Sequence, residues 1–360
     1  MATRGRAGTG DADREGLDHA TAIPAADPGV LARAVDLARA APVPARAGGV
    51  LLGTAGWTDP TLVRAGTFYP RGCTLPEQRL RYYATQFAMV ELDSSYYALP
   101  SVANARRWAE RTPDGFVFDV KAYAALTDHP VDVARFPRDL LPSVPTGAVA
   151  HGRTMPRSLP DELIAALWRR FRMALEPLQL AGRLGAVLLQ FPPWFTATRG
   201  HARAIERCRD ALGSLPGAVE FRHASWGEPA RFARVISWLR SLELSYVVVD
   251  EPQHTPNSMP PTVAVAHPGL AIVRFHGHRG ETWTESVSVH EKFGYLYDPP
   301  ELEPWVERVR QLGASAERVH LVFNNCYSNY AVLGAKDLAA LLTSQPPARP
   351  AEPRGDSPHP

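Results

Sequence analysis

The sequence predicts an α/β fold, a (β/α)8 TIM-like barrel forming a single domain, and three observations lead there. Short apolar runs alternate with amphipathic stretches through most of the 360 residues, the pattern left by successive βα units. Eight such runs occur, the number that closes a barrel. No Gly-rich phosphate fingerprint follows the first run, which weakens the rival doubly wound sheet.

The expected strands are Val50–Gly56, Met89–Ser95, Phe116–Ala122, Leu184–Phe191, Ala218–His223, Ser245–Asp250, Ala271–His276 and Arg318–Asn325. The clearest helical patterns are Leu75–Phe87, Val102–Arg111, Pro160–Leu180, Thr198–Leu212, Pro229–Leu242, Glu303–Leu312 and Ala331–Thr343. Two stretches interrupt the alternation. Residues 124–158 are dense in Pro, Arg and His with little periodicity, and read as a long loop after the third strand. A second long, proline-rich loop, Glu251–His267, follows the sixth. Long loops at a barrel mouth commonly carry function.

The barrel is expected over residues 46–344. Residues 1–45 are rich in Ala, Gly, Pro, Arg and Asp and read as a disordered or loosely packed extension, with a short helix over Asp36–Ala41. Residues 345–360 read as a disordered Pro-rich tail.

Composition excludes some classes of function. Net charge is +2, from 39 basic and 37 acidic residues, so nothing global points to nucleic acid or an anionic membrane. The three cysteines, Cys73, Cys208 and Cys326, form no C-x-x-C pair, which disfavours a zinc ribbon or a disulfide framework. No apolar run reaches the ~18 residues of a membrane span, and the N-terminus lacks the apolar core of a secretory signal. A cytoplasmic protein with no membrane partner is expected.

Alternation along each strand separates an apolar face from a charged one. Glu91 and Asp93, Asp119 and Lys121, Glu220 and Arg222, and Arg274 and His276 lie opposite apolar neighbours, with Gln190 and Asp250 late in the fourth and sixth strands. The apolar face must meet the helices, so the charged set is expected inside the barrel, near the carboxyl ends where barrel sites are built. Burying unpaired charge there costs several kcal/mol per ion, so the set is either an internal ion-pair network or the floor of a ligand pocket. The candidate catalytic residues are Glu91, Lys121, Glu220, Asp250 and His276; carboxylates beside cations acquire the separated pKa values that acid–base chemistry needs. Lys121 is the only Lys in the expected core. The candidate ligand-binding residues are Trp57, Asp93, Tyr96, Gln190, Arg222, His223, Arg274, Asn324 and Asn325, with Tyr97 and Trp226 as further aromatic walls.

A series of motifs runs through the expected barrel: G-T-A-G-W at 53–57, F-Y-P at 68–70, E-L-D-S-S-Y-Y at 91–97, F-V-F-D-V-K-A at 116–122 and Q-F-P-P at 190–193. They continue with V-E-F-R-H-x-S-W at 219–226, V-V-D-E-P at 248–252, V-R-F-H-G at 273–277, Y-L-Y at 295–297 and F-N-N at 323–325. In these motifs the chain resembles the DUF72, or YecE-like, family over roughly Leu51 to Thr343. The resemblance implies a TIM barrel, in agreement with the strand count, and brings no assigned chemistry. Departures at Thr127-Asp128-His129, at 91–97 and at Lys292-Phe293-Gly294-Tyr295 fall on the outer pocket wall and leave the charged floor intact.

The expected function is therefore an enzyme or binding protein for a small anionic ligand, phosphorylated or carbohydrate-like, with no cofactor. One alternative is a metal-dependent isomerase or endonuclease-like barrel, in which Glu91, Glu220, Asp250, His223 and His276 hold a divalent ion and the Arg-rich 124–158 loop meets nucleic-acid phosphates. Another is a partner-binding scaffold without catalysis.

Overall fold

The computed structural model describes residues 49–253, 255, 257–280 and 292–344. Its centre is a ring of eight parallel strands: β1 (Val50–Thr54), β2 (Met89–Leu92), β3 (Val117–Lys121), β4 (Leu184–Gln190), β5 (Gly217–Glu220), β6 (Leu244–Asp250), β7 (Ala271–Phe275) and β8 (Val319–Phe323). They lie in the order β1-β8-β7-β6-β5-β4-β3-β2, so each strand adjoins its neighbour in sequence. The two ends of the sheet meet through a bridge between Ala55 and Glu91, where the Gly56 N–H donates to the Glu91 carbonyl at 2.9 Å. All eight expected strands are present, most of them shortened by one or more residues at an end.

Around the ring lie α1 (Pro60–Ala65), α2 (Pro76–Gln86), α3 (Ser94–Tyr97), α4 (Val102–Glu110), α5 (Asp161–Leu180), α6 (Arg199–Leu212), α7 (Pro229–Ser241), α8 (Pro299–Gly313) and α9 (Tyr330–Ser344). Their starts follow capping chemistry. Ser101 accepts from the Asn104 N–H at 3.1 Å, and Thr198 from the His201 N–H at 3.2 Å. Glu301 reaches back to the Asp298 N–H at 2.8 Å behind two N-terminal prolines, a capping-box contact. In α5 the buried residues Leu163, Leu167, Phe171, Ala174 and Leu178 recur at three- and four-residue spacing, the stripe that a helix lays on a sheet. Helices α1 and α3 lie outside the helical patterns because neither is long enough to show a full amphipathic repeat.

The stretch expected as an irregular loop, 124–158, is folded more than its periodicity implied. Val131–Asp132, Val149–Ala150 and Arg153–Thr154 form a small antiparallel sheet, with three short 3-10 turns between the first two strands and a tight turn between the last two. Two-residue strands leave no alternation to read. The expected N-terminal extension with its helix over 36–41, and the tail over 345–360, lie outside the described residues. Among the described residues no helix is long and apolar enough to cross a membrane.

Register decides which side chains enter the barrel, since laterally paired residues of parallel strands share a face. The pairs Asp119–Ala186, Gln190–Glu220, Val249–Arg274 and Arg274–Val322 place the charged set inside, as expected. Leu51, Met89, Val117 and Val322 fill part of the interior with apolar atoms. Beside them Asp119 pairs with His320 at 2.9 Å, both buried. Gly185 makes room for that pair: a Cβ there would stand 2.3 Å from Asp119 Oδ1 and 2.8 Å from His320 Cε1. On the outer face Phe275 stacks on Phe323 at 4.4 Å and meets Trp305 of α8 edge-on.

Candidate functional site

A cavity of about 1070 Å³ opens at the carboxyl ends of the strands. Beneath it runs a buried lattice centred on Arg274, which is fully buried on β7. Its guanidinium donates to Glu220 Oε2 at 2.5 Å and to Glu91 Oε1 at 2.6 Å, joining β5 to β2 across the barrel. Arg222 extends the lattice, with Nη1 3.1 Å from both Glu220 Oε1 and Glu251 Oε2. The same Glu220 Oε1 lies 3.3 Å from His276 Nε2, and His276 Nδ1 lies 3.0 Å from the Asn324 amide nitrogen. Each carboxylate therefore has a cation, which is what makes burial of so much charge tolerable.

Above this floor the cavity wall divides by chemistry. Lys121 and Arg222 reach it from β3 and from just beyond β5, and Lys292 joins them from the segment before α8. Asp93, Gln190 and Asn324 add polar groups, while Trp57, Tyr96, Trp108 and Phe293 form aromatic walls. Lys121 Nζ lies 3.6 Å from Asp93 Oδ1 and 4.7 Å from the centre of the Tyr96 ring, a cation–π distance.

Burial pushes the Glu91 carboxyl up, to about 8, with Arg274 opposing and the neighbouring Asp93 charge adding to the rise. Burial acts to raise Asp93 too, but Lys121 and Arg274 hold it below its ordinary value. Glu220 is likewise held well below the carboxylate range, against burial, by Arg274 and His276. Burial and the Arg222 charge push His276 down to about 3. Burial and the nearby Lys121 do the same to His129, behind Tyr96.

The structure thus brings most of the expected residues together in two tiers. Trp57, Asp93, Tyr96, Lys121, Gln190, Arg222 and Asn324 line the cavity, and Glu91, Glu220, Arg274 and His276 lie in the lattice below.

Asp250 departs from expectation. Its register partner is Phe275, which faces the helices, so its side chain leaves the barrel and accepts from Tyr297 at 2.8 Å and pairs with His278 at 3.0 Å. Burial acts to lower His278, but Asp250 and then Glu301 raise it. The carboxylate that enters the lattice is its neighbour Glu251, missed because it lies one residue past the strand, although alternation alone puts it on the inward face.

His223 is turned into its own loop, where Nδ1 accepts from the Ser225 N–H at 3.1 Å. Asn325 is buried and donates to the Tyr295 carbonyl at 2.8 Å. Trp226, expected as a wall, is buried and stacked on Phe221 at 4.4 Å. Lys121 is also not the sole buried Lys: Lys336 on α9 donates to Gln86 at 2.9 Å between helices. Of the five groups considered as metal ligands, Asp250 and His223 turn away from the lattice that holds the other three, and among the described residues no three His, Cys, Asp or Glu side chains form a set able to hold a metal ion. Lys292 and Phe293 were not singled out as site residues because they belong to no strand.

These features define a barrel protein with a charged, aromatic-walled pocket at its carboxyl mouth. The family model described as "Protein of unknown function DUF72" matches residues 51–357, and the chain belongs to that family. It is 28% identical over 297 residues to the UPF0759 protein YunF of Bacillus subtilis (strain 168), covering 81% of this chain and 94% of that protein. A DUF72 family protein from Thermotoga maritima MSB8 superposes with a TM-score of 0.64 at 29% identity, covering 82% of this chain and 99% of the other. One from Enterococcus faecalis V583 gives 0.65 at 23% identity, covering 82% and 95%, a likeness of fold alone.

Proposed function

We propose that the mouth pocket is the active site of an enzyme acting on a small anionic ligand, phosphorylated or carbohydrate-like. The observation that supports this best is the convergence of Lys121, Arg222 and Lys292 on one cavity, with carboxylates of the lattice beneath them. Lys121 and Arg222 would hold the anion through charge-assisted hydrogen bonds. Trp57 and Tyr96 would pack against the rest of the ligand. Glu91, proton-bearing near neutrality, stands two residues from ionised Asp93 on the cavity wall. Carboxyl groups with pKa values pushed apart are suited to giving and taking a proton. In this reading Glu220 and His276 position the floor, and Asp250 has no part in the chemistry.

Calorimetric titration of inorganic phosphate and of sugar phosphates tests the reading. A charge-assisted hydrogen bond contributes about 1.5–3 kcal/mol, so Lys121→Met is expected to weaken phosphate binding by roughly 10- to 100-fold. Lys292→Met should weaken it to a lesser degree, and both variants should keep the wild-type circular dichroism spectrum. Phosphate affinity unchanged in both variants would defeat the reading.

A further inference from the structure

The chain of contacts from Glu220 through His276 to Asn324 says more about the ligand than its charge. Glu220 is held anionic by Arg274 at 2.5 Å and Arg222 at 3.1 Å. Its Oε1 lies 3.3 Å from His276 Nε2. A ring lone pair at that place would face a carboxylate oxygen, so Nε2 carries the proton. A second ring proton would make a buried cation beside two guanidinium groups, which is strongly disfavoured. The ring is therefore neutral and Nδ1 is an acceptor.

That settles the orientation of Asn324. Only its amide NH2 can donate to Nδ1, at 3.0 Å. The amide oxygen, on the other arm of the same planar carbon, is turned away from the histidine. Among the described residues no donor reaches that oxygen, and Asn324 lines the cavity. Ionised Asp93 stands on the same wall and can only accept. The cavity therefore combines cationic donors with acceptor oxygens that call for a donor on the ligand.

We infer that the ligand of this pocket is a hydroxylated anion, of the sugar phosphate or polyol phosphate class, whose hydroxyl group donates to Asn324 Oδ1, with His276 as the positioning residue that fixes the amide. This deepens the anion-site reading and rests on it. A phosphate or carboxylate lacking hydroxyl groups would leave the Asn324 oxygen without a partner, and a site built to hydrogen-bond a hydroxyl discriminates strongly against an analogue that lacks it.

The test compares glycerol 3-phosphate with propyl phosphate, which differ only in two hydroxyl groups, by calorimetric titration. Wild-type protein is expected to bind the hydroxylated probe at least tenfold more tightly. Asn324→Ala should bring the two within threefold of each other. Equal wild-type affinities, or a preference that survives Asn324→Ala, would overturn the inference while the anion reading stands. Tighter binding of 2-aminoethyl phosphate than of glycerol 3-phosphate would overturn it in favour of an ammonium donor. If no phosphate binds, the anion reading falls and the inference with it. Nitrogen-15 NMR of the wild-type imidazoles gives a readout independent of folding in the variant. His276 should be the Nε2–H tautomer and remain neutral at pH 5, whereas an Nδ1–H tautomer or an imidazolium would reverse the assigned amide orientation.

Discussion

At the scale of single residues, Arg274 holds the site together. Among the described residues it is the one cation that touches both Glu91 and Glu220, and Glu220 has further partners in Arg222 and His276 while Glu91 depends on Arg274 more heavily. Arg274→Met keeps much of the volume but leaves two carboxyl groups buried without their shared cation. Removing one partner of a buried pair costs about 3–5 kcal/mol, and that loss is expected in urea unfolding of the variant. Restoring neutrality by combining Arg274→Met with Glu220→Gln should recover part of the loss; a double variant no more stable than the single would mean that packing, not charge, sets the cost. Residues of this kind were legible beforehand: Arg274, Glu220, Glu91 and Lys121 all break an apolar strand on the same parity. Asp250 and Glu251 mark where such reading stops. Both are acidic and adjacent at a strand end: alternation and the register with β7 turn Asp250 outward, but Glu251 lies one residue past the strand, where the repeat that marks the inward face has ended.

At the scale of elements, the weakest join in the barrel is the seam between β1 and β2, which share a single bridge rather than a ladder. The Tyr83 hydroxyl on α2 sutures it, accepting from the Thr54 N–H at 2.8 Å and donating to the Met89 carbonyl at 3.2 Å. Gly53 lets the strands come together there, since a Cβ would stand 2.2 Å from the Met89 carbonyl oxygen. Tyr83→Phe keeps the ring and removes the suture, leaving a buried N–H and a buried C=O each one partner short. The expected cost is about 1–3 kcal/mol, with faster amide exchange at Thr54 than at residues of β7. Uniform loss of protection around the ring would show that the seam has no special role. The strands and long helices were readable because each repeats its period several times. The small sheet within 124–158 and the stretch carrying Lys292 and Phe293 were not, because their placement follows from tertiary contacts around the mouth rather than from any repeat.

At the scale of the whole molecule, the buried titratable groups set how stability follows pH. His276 and His129 are held neutral down to about 3 in the folded protein, whereas an unfolded histidine takes its proton near ~6.5. As pH falls through that window the unfolded chain binds protons that the folded one refuses, so stability falls with it. Glu220 steepens the same limb, because its folded value lies well below the ordinary one; its contribution is present above about 4.3 and is lost as pH falls toward the folded value. Glu91 and His278 act in the opposite sense. Their folded values are raised, so their contributions are full below their unfolded values and disappear as pH rises through the folded ones. The two limbs together place the maximum near neutrality. The urea midpoint, followed at constant ionic strength, should be highest at about pH 6–7, fall clearly by about pH 4.5, and fall more gently by about pH 9. His129→Gln removes a buried neutral imidazole without touching the lattice, and should flatten the acid limb relative to wild type. A midpoint higher at pH 4.5 than at pH 7 would mean that the raised Glu91 and His278 outweigh the buried histidines and Glu220, and would overturn this ordering of the two limbs.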